Sequence, residues 1–274
     1  AALSEVKWCQ PGVKDWVRFR DGFRMDRIYS QMGYVFAKHI FGIKGSYAVD
    51  PQKGAVVMTL TTQGDVPIHY TLDGSEPTAA SPRYTGPVEI GKSARFRATA
   101  LREGGENASY SREFAFSKST GRPAVLNTKP NDSYTFEGAS LLVDGYHSRP
   151  VFTSGAWLGY LDEPLDVTID MGGEQSYRSV ELETLAEKGD WIFPPSSVTV
   201  WVSDNGTDFT EVASVAVPEA KAGDADGIGR YRMQFPETSA RYLKVVAQNA
   251  AAIPAWHPGA GSKGFLFVDE VVVE

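Results

Sequence analysis

The sequence predicts a mainly β protein, with two antiparallel sandwiches in succession behind a short helical segment. Three observations carry that expectation. The apolar period changes from three-and-four to two near residue 45 and stays at two to the end. Turn chemistry such as Asp73-Gly74, Gly104-Gly105 and Asp204-Asn205-Gly206 interrupts the alternating runs. The 141–160 stretch, with its Asp144-Gly145 turn and Trp157, is answered by an apolar run at 265–273, and strands from the two runs that pair would close one domain.

Residues 1–45 form the helical segment. Leu3 to Trp8 reads as the end of one helix, stopped by Pro11-Gly12. After it Trp16, Phe19 and Phe23, then Met25, Ile28 and Met32, recur at helical spacing with a break near Gly22. This apolar face has no partner within the segment, so it is expected to dock on the β domains or on sequence outside this chain. Residues 46–117 alternate as strands at 56–60, 68–72, 88–90, 96–100 and 110–116, which makes a small immunoglobulin-like sandwich. The polar, Gly- and Pro-bearing stretch 118–123 reads as a linker. Residues 124–274 then alternate at 165–171, 198–202, 209–212, 231–235, 241–247 and 265–273, a jelly-roll count.

Composition bounds the partners. The chain has 274 residues, 42% of them hydrophobic and 12% aromatic, enough for two or three real cores. A net charge of -7 argues against nucleic acid, whose binding rests on neutralising phosphates with basic side chains. The charge is uneven: residues 1–50 carry eight Lys/Arg and five Asp/Glu, net +3, which leaves -10 for the rest and sets the first segment apart. Cys9 is the only cysteine, so an internal disulfide or a thiolate metal cluster is excluded. No run reaches the about 18 apolar residues of a membrane-spanning helix, and no membrane insertion is expected. Starting in mid-pattern at Ala1, without a leader, the chain reads as a piece of something longer.

Three resemblances sharpen this outline and together cover nearly the whole chain. Ala2-Leu3-Ser4-Glu5-Val6-Lys7-Trp8, Asp15-Trp16 with Phe19, and Arg27 through Met32-Gly33-Tyr34 resemble the tail of the (β/α)8 catalytic barrel of glycoside hydrolase family 20 β-N-acetylhexosaminidases. Tyr70-Thr71-Leu72-Asp73-Gly74-Ser75-Glu76-Pro77-Thr78, followed by Tyr84-Thr85-Gly86-Pro87-Val88, resembles the fibronectin-III-like domain at chitobiase and hexosaminidase C-termini. Leu141 to His147, Trp191-Ile192-Phe193-Pro194, Val202 to Gly206, Ala240 to Val245 and Trp256 to Gly261 resemble a discoidin-type domain. That is the coagulation factor V/VIII C type, the galactose-binding-like fold of family 32 carbohydrate-binding modules, found at the end of some Bacteroidetes hexosaminidases. The resemblance implies an accessory region of a β-N-acetylhexosaminidase that removes terminal N-acetylhexosamine from glycans. Its partners would be its own upstream barrel and glycans of N-acetylhexosamine or galactose type, in the periplasm, at the cell surface or secreted.

Discoidin domains hold a hard cation through an Asp of the first turn, a Glu of the last strand and nearby carbonyls. The resemblance therefore implies a structural calcium site from Asp144 and Glu270, with Leu141, Tyr146 and Asp269 beside them. The chain departs from the family in having Tyr146 where Asn is common and a longer insert before Trp157. The other reading has Asp144 capping its turn and Glu270 as a solvated edge charge. For sugar, which needs an aromatic face and a few fixed polar groups, the candidates are Trp256, His257, Trp191 and Arg149, against the reading that Trp157 and Trp191 are core and Trp256 covers a sheet edge. No catalytic residue is expected. Asp269-Glu270 is the tempting pair, yet neighbours in an alternating strand point to opposite faces, and His39, His69, His147 and His257 lack metal-ligand spacing. Asp224-Ala225-Asp226-Gly227 reads as a flexible loop. Two rival functions stay open: bracing domains without a sugar ligand, or a generic adhesion or protein-binding module.

Overall fold

The computed structural model describes residues 42–62, 66–101 and 107–274. The helical expectation for residues 1–41 and the turn at Gly104-Gly105 lie outside the described residues. No helix among the described residues is long and apolar enough to cross a membrane.

The first sandwich packs two three-stranded sheets. One has β1 (Lys44–Asp50), β2 (Ala55–Thr61) and β4 (Val88–Ile90) in the order β1-β2-β4; the other has β3 (Ile68–Thr71), β5 (Ala94–Ala100) and β6 (Ala108–Phe114) in the order β3-β5-β6. Alternation gives each sheet one apolar face: Val56, Met58 and Leu60 of β2 share the core with Phe96, Ala98 and Ala100 of β5. Residues 44 and 45, at the end of the expected helical segment, already belong to β1.

The second sandwich is wound from one continuous hydrogen-bonded sheet. Beyond β7 (Ala124–Leu126) and β8 (Leu158–Tyr160) it contains β9 (Leu165–Ala186), β10 (Ser197–Ser203), β11 (Thr210–Ala216), β12 (Gly227–Gln248) and β13 (Leu266–Val273), in the order β11-β10-β12-β9-β13-β8, with β7 also on β9. The expected closure between the 158–160 and 265–273 runs is present as Tyr160↔Leu266 and Leu158↔Val268. The runs expected at 165–171, 231–235 and 241–247 turn out to be segments of just two strands of 22 residues each. Register breaks at Gln234/Thr238 and Ala240/Tyr242 bend the β9–β12 pair, and Gly172 at φ +79° lets β9 fold over there. Leu165, Val167 and Ile169 therefore line the same core as Val180 and Leu182 from the far half of β9.

This winding sorts the loops. β9 pairs with β12 at Leu165↔Ala247 and again at Ala186↔Gly227, while β10 starts opposite the end of β12 at Ser197↔Gln248. Loops 187–196, 217–226 and 249–265 thus leave from one end. At the other end the first sandwich docks.

The stretch 118–123, expected as a linker, is a packed turn. Ser119 and Thr120 are buried, Lys118 donates to the Val273 carbonyl at 3.0 Å, and Gly121 donates to Val143 O at 2.8 Å. Gly121 sits at φ +76°, and a Cβ there would lie 2.5 Å from the Gly54 carbonyl carbon. Backbone cannot yield as a side chain can. Gly121→Ala should therefore destabilise the protein by more than about 2 kcal/mol in urea unfolding; a change within about 0.5 kcal/mol, the usual range for a surface substitution, would contradict this account of the junction.

Candidate functional sites

The insert between β7 and β8 ends in a loop that meets β13 and the first sandwich together. Asp144 is buried; its Oδ1 accepts the Tyr146 N–H at 2.7 Å, closing an Asx turn, and its Oδ2 accepts the Tyr47 hydroxyl of β1 at 2.9 Å. Gly145, at φ +71°, donates to Glu270 Oε1 at 3.1 Å, and Ser148 N–H donates to Asp269 Oδ2 at 2.8 Å. The adjacent pair Asp269 and Glu270, expected on opposite faces of a strand, thus reaches one and the same loop. The cause is a register shift between Val268 and Val271 in the pairing of β13 with β9, which breaks the alternation at those two residues. Glu270 is not an edge charge: it is fully buried, and its Oε2 has no hydrogen-bond partner among the described residues.

The electrostatics follow from burial. Desolvation pushes the Asp144 carboxyl up to about 7 despite its two hydrogen bonds. Asp269 and Glu270 are raised by burial and then by the charge of Asp144. Glu183, as deeply buried, goes the other way: burial alone would raise it, but His147 Nδ1 at 2.9 Å and the Arg230 guanidinium bring it below its ordinary value. Among the described residues, three of these four buried carboxylates therefore lack a cationic partner in contact. Among the described residues no three side chains of His, Cys, Asp or Glu converge as metal ligands. A hard cation fits here through the free Glu270 oxygen only if backbone carbonyls complete its shell. Leu141, of the 3-10 turn Gly138–Leu142, and Tyr146 flank Asp144 in the loop.

The second candidate site is at the loop end. Trp256 donates its indole N–H to Ala220 O at 2.9 Å, and remains 40% exposed. His257 Nδ1 accepts the Gly259 N–H at 3.0 Å, so the ring proton is on Nε2, which donates to Lys188 O at 2.9 Å. Both ring nitrogens are engaged. His257 clamps two loops, with Trp191, Phe193 and Trp256 edge-on around it. Trp191 lies over Gly259, where a Cβ would come within 2.8 Å of its ring, and is 42% exposed. Its backbone is left-handed, φ +64°, a conformation that costs a bulky residue about 1 kcal/mol or more. Trp157, by contrast, is wholly buried and donates to Arg149 O at 2.9 Å.

The sequence candidates for sugar are thus divided. Trp191, Trp256 and His257 come together from two loops, and Phe193 joins them as a ring that the alternating pattern gave no reason to single out. Arg149 lines the cleft between the sandwiches instead. The 224–227 stretch, expected as a flexible loop, is tied down: Asp226 accepts from the Lys188 backbone at 3.1 Å and pairs with its ammonium.

Comparison with known proteins follows the same division. Residues 45–112 match the model of the chitobiase/beta-hexosaminidase C-terminal domain. Among solved structures, similar chains include chitosan-binding module 1 of a chitosanase/glucanase from Paenibacillus sp. IK-5 (17% identity, TM-score 0.38, 58% of this chain and 98% of that one). CpGH89CBM32-5 from Clostridium perfringens, solved with GalNAc-beta-1,3-galactose, is 16% identical (TM-score 0.38, 56% and 94% covered). A fucose binding module of Streptococcus pneumoniae is 22% identical (TM-score 0.37, 58% and 94% covered). No curated protein matches the chain. Residues 127–263, 137 of the 274, match the F5/8 type C domain model, and by that match the chain belongs to the F5/8 type C, or discoidin, domain family.

Proposed function

We propose that this chain is a carbohydrate-binding accessory region of a β-N-acetylhexosaminidase that acts on terminal N-acetylhexosamine outside the cytoplasm, in the periplasm, at the cell surface or secreted. The observation that carries the binding role is Trp191, a half-exposed ring on a strained left-handed backbone, with Trp256 and the His257 clamp beside it. Exposed indole faces suit the apolar side of a pyranose ring, and a rigid platform loses little entropy when the sugar arrives. A depression of about 350 Å³ beside Trp256, lined by Phe193, Pro194 and Pro218, leaves room for a sugar's remaining groups. The chitobiase/hexosaminidase C-terminal match in the first sandwich supports the parent activity, with the upstream barrel as partner. Binding would raise the effective concentration of the parent enzyme at its glycan.

The same reading gives the Glu270 pocket to calcium. Asp144 and Glu270, with Asp269 and the carbonyls of Leu141 and Tyr146, would hold it, and it would supply the positive charge those carboxylates lack.

Calorimetric titration of the chain with N-acetylglucosamine, N-acetylgalactosamine and galactose should show binding that Trp191→Ala and Trp256→Ala each weaken about tenfold or more, or 1.4 kcal/mol, in a folded protein. Silence toward the whole panel would favour domains that only brace the barrel. For the metal, calcium at about 100 times its dissociation constant should add about 2.7 kcal/mol of stability, read as a rise in melting temperature that a chelator reverses. Glu270→Gln should abolish that rise; an equal rise in the variant would remove Glu270 from the site.

A further inference from the structure

The arginines at the junction give no ligand to either site, although the Arg112 charge reaches Asp144 and favours its ionised form. A groove of about 770 Å³ runs between the sandwiches, and its lining carries Arg95, Arg97, Arg112 and Arg149 against one carboxylate, Glu113. That is a strongly basic concavity in a chain whose net charge is -7. The four come from three directions. Arg95 and Arg97 share one face of β5 and are partly neutralised by Glu113 and Glu76. Arg112 of the edge strand β6 points to the other face, its guanidinium 4.7 Å from the Tyr47 ring centroid and 4.1 Å from that of Tyr146. Arg149 comes from the second sandwich. Among the described residues neither Arg112 nor Arg149 forms a salt bridge.

Stacking on two tyrosines fixes the plane of Arg112, whose charge acts on Tyr110 and Asp144 without an ion pair in contact, and a guanidinium is the fork that a carboxylate or sulfate needs for paired hydrogen bonds. The volume is in the range of sites that enclose a sugar-sized ligand. The chain's own first segment is a poor occupant, since residues 1–50 are net positive. We propose that this groove is a second binding site, which takes the anionic group of an acidic saccharide, a uronic acid or a sulfated sugar, through Arg112 and Arg149. The anion preference stands on the groove alone; its assignment to a saccharide rests on the carbohydrate reading above.

The test is titration of the 274-residue chain with glucuronic acid, N-acetylglucosamine 6-sulfate, neutral N-acetylglucosamine and inorganic sulfate. The acidic sugars should bind, and raising salt from about 20 to about 200 mM should weaken them about tenfold while neutral sugar is unaffected. Arg149→Ala should weaken the acidic sugars about tenfold or more, with neutral binding and melting temperature unchanged, because the contact to Trp157 uses only the Arg149 carbonyl. Trp191→Ala should leave acidic binding intact even where it abolishes neutral binding. Undiminished acidic binding by Arg149→Ala would overturn the site. Loss of acidic binding in Trp191→Ala would move it to the loop end and leave the earlier reading standing. Inorganic sulfate binding as tightly as the sulfated sugar would overturn the saccharide assignment.

Discussion

The structure depends on a short loop with no regular secondary structure, residues 143–148, into which the chain places more buried carboxylate than it can neutralise. Asp144 holds Tyr47 from the first sandwich and the backbone of Tyr146 from the second. Glu270 and Asp269 take hydrogen bonds from the same loop. Buried acids of this kind are costly unless something positive or a proton accompanies them. Glu183, a few residues away in space, shows the usual solution with His147 and Arg230. Among the described residues, one buried carboxylate is thus paired with cations and the three around the loop are not.

The connector reinforces this joint. Ser119 hydrogen-bonds to Val271, Lys118 to Val273 and Gly121 to Val143, so the first sandwich is fastened to the last strand of the second and to the Asp144 loop together. The two sandwiches therefore meet along a seam of backbone hydrogen bonds and rings, with Arg112 between Tyr47 and Tyr146 at its rim.

Much of the architecture was legible in the sequence because strands with one buried face write their period into it. Val56-Val57-Met58-Thr59-Leu60 and Leu165 to Met171 needed nothing else. What was not legible depended on partners. The bulge that turns Asp269 and Glu270 toward one loop is a property of how β13 registers on β9, and the isolated pattern of 265–273 suggests opposite faces instead. The continuity of β9 through Gly172-Gly173 was hidden because a glycine pair reads as a turn and here only bends a strand. Trp191 read more readily as core than as ligand, since nothing local announces a left-handed tryptophan. Trp256 and His257 were found as a pair, but the clamp that joins them to Lys188 and Ala220 depends on loops far apart in sequence. Arg149, grouped with them by residue type, lines the cleft between the sandwiches and shares no contact with them among the described residues.

The two regions differ in what builds them. The loops that carry Trp191, Trp256 and His257 belong to the second sandwich alone, whereas the cleft that Arg112 and Arg149 line takes residues from both sandwiches. A change in how the sandwiches meet would therefore reshape the cleft and leave the tryptophan loops as they are.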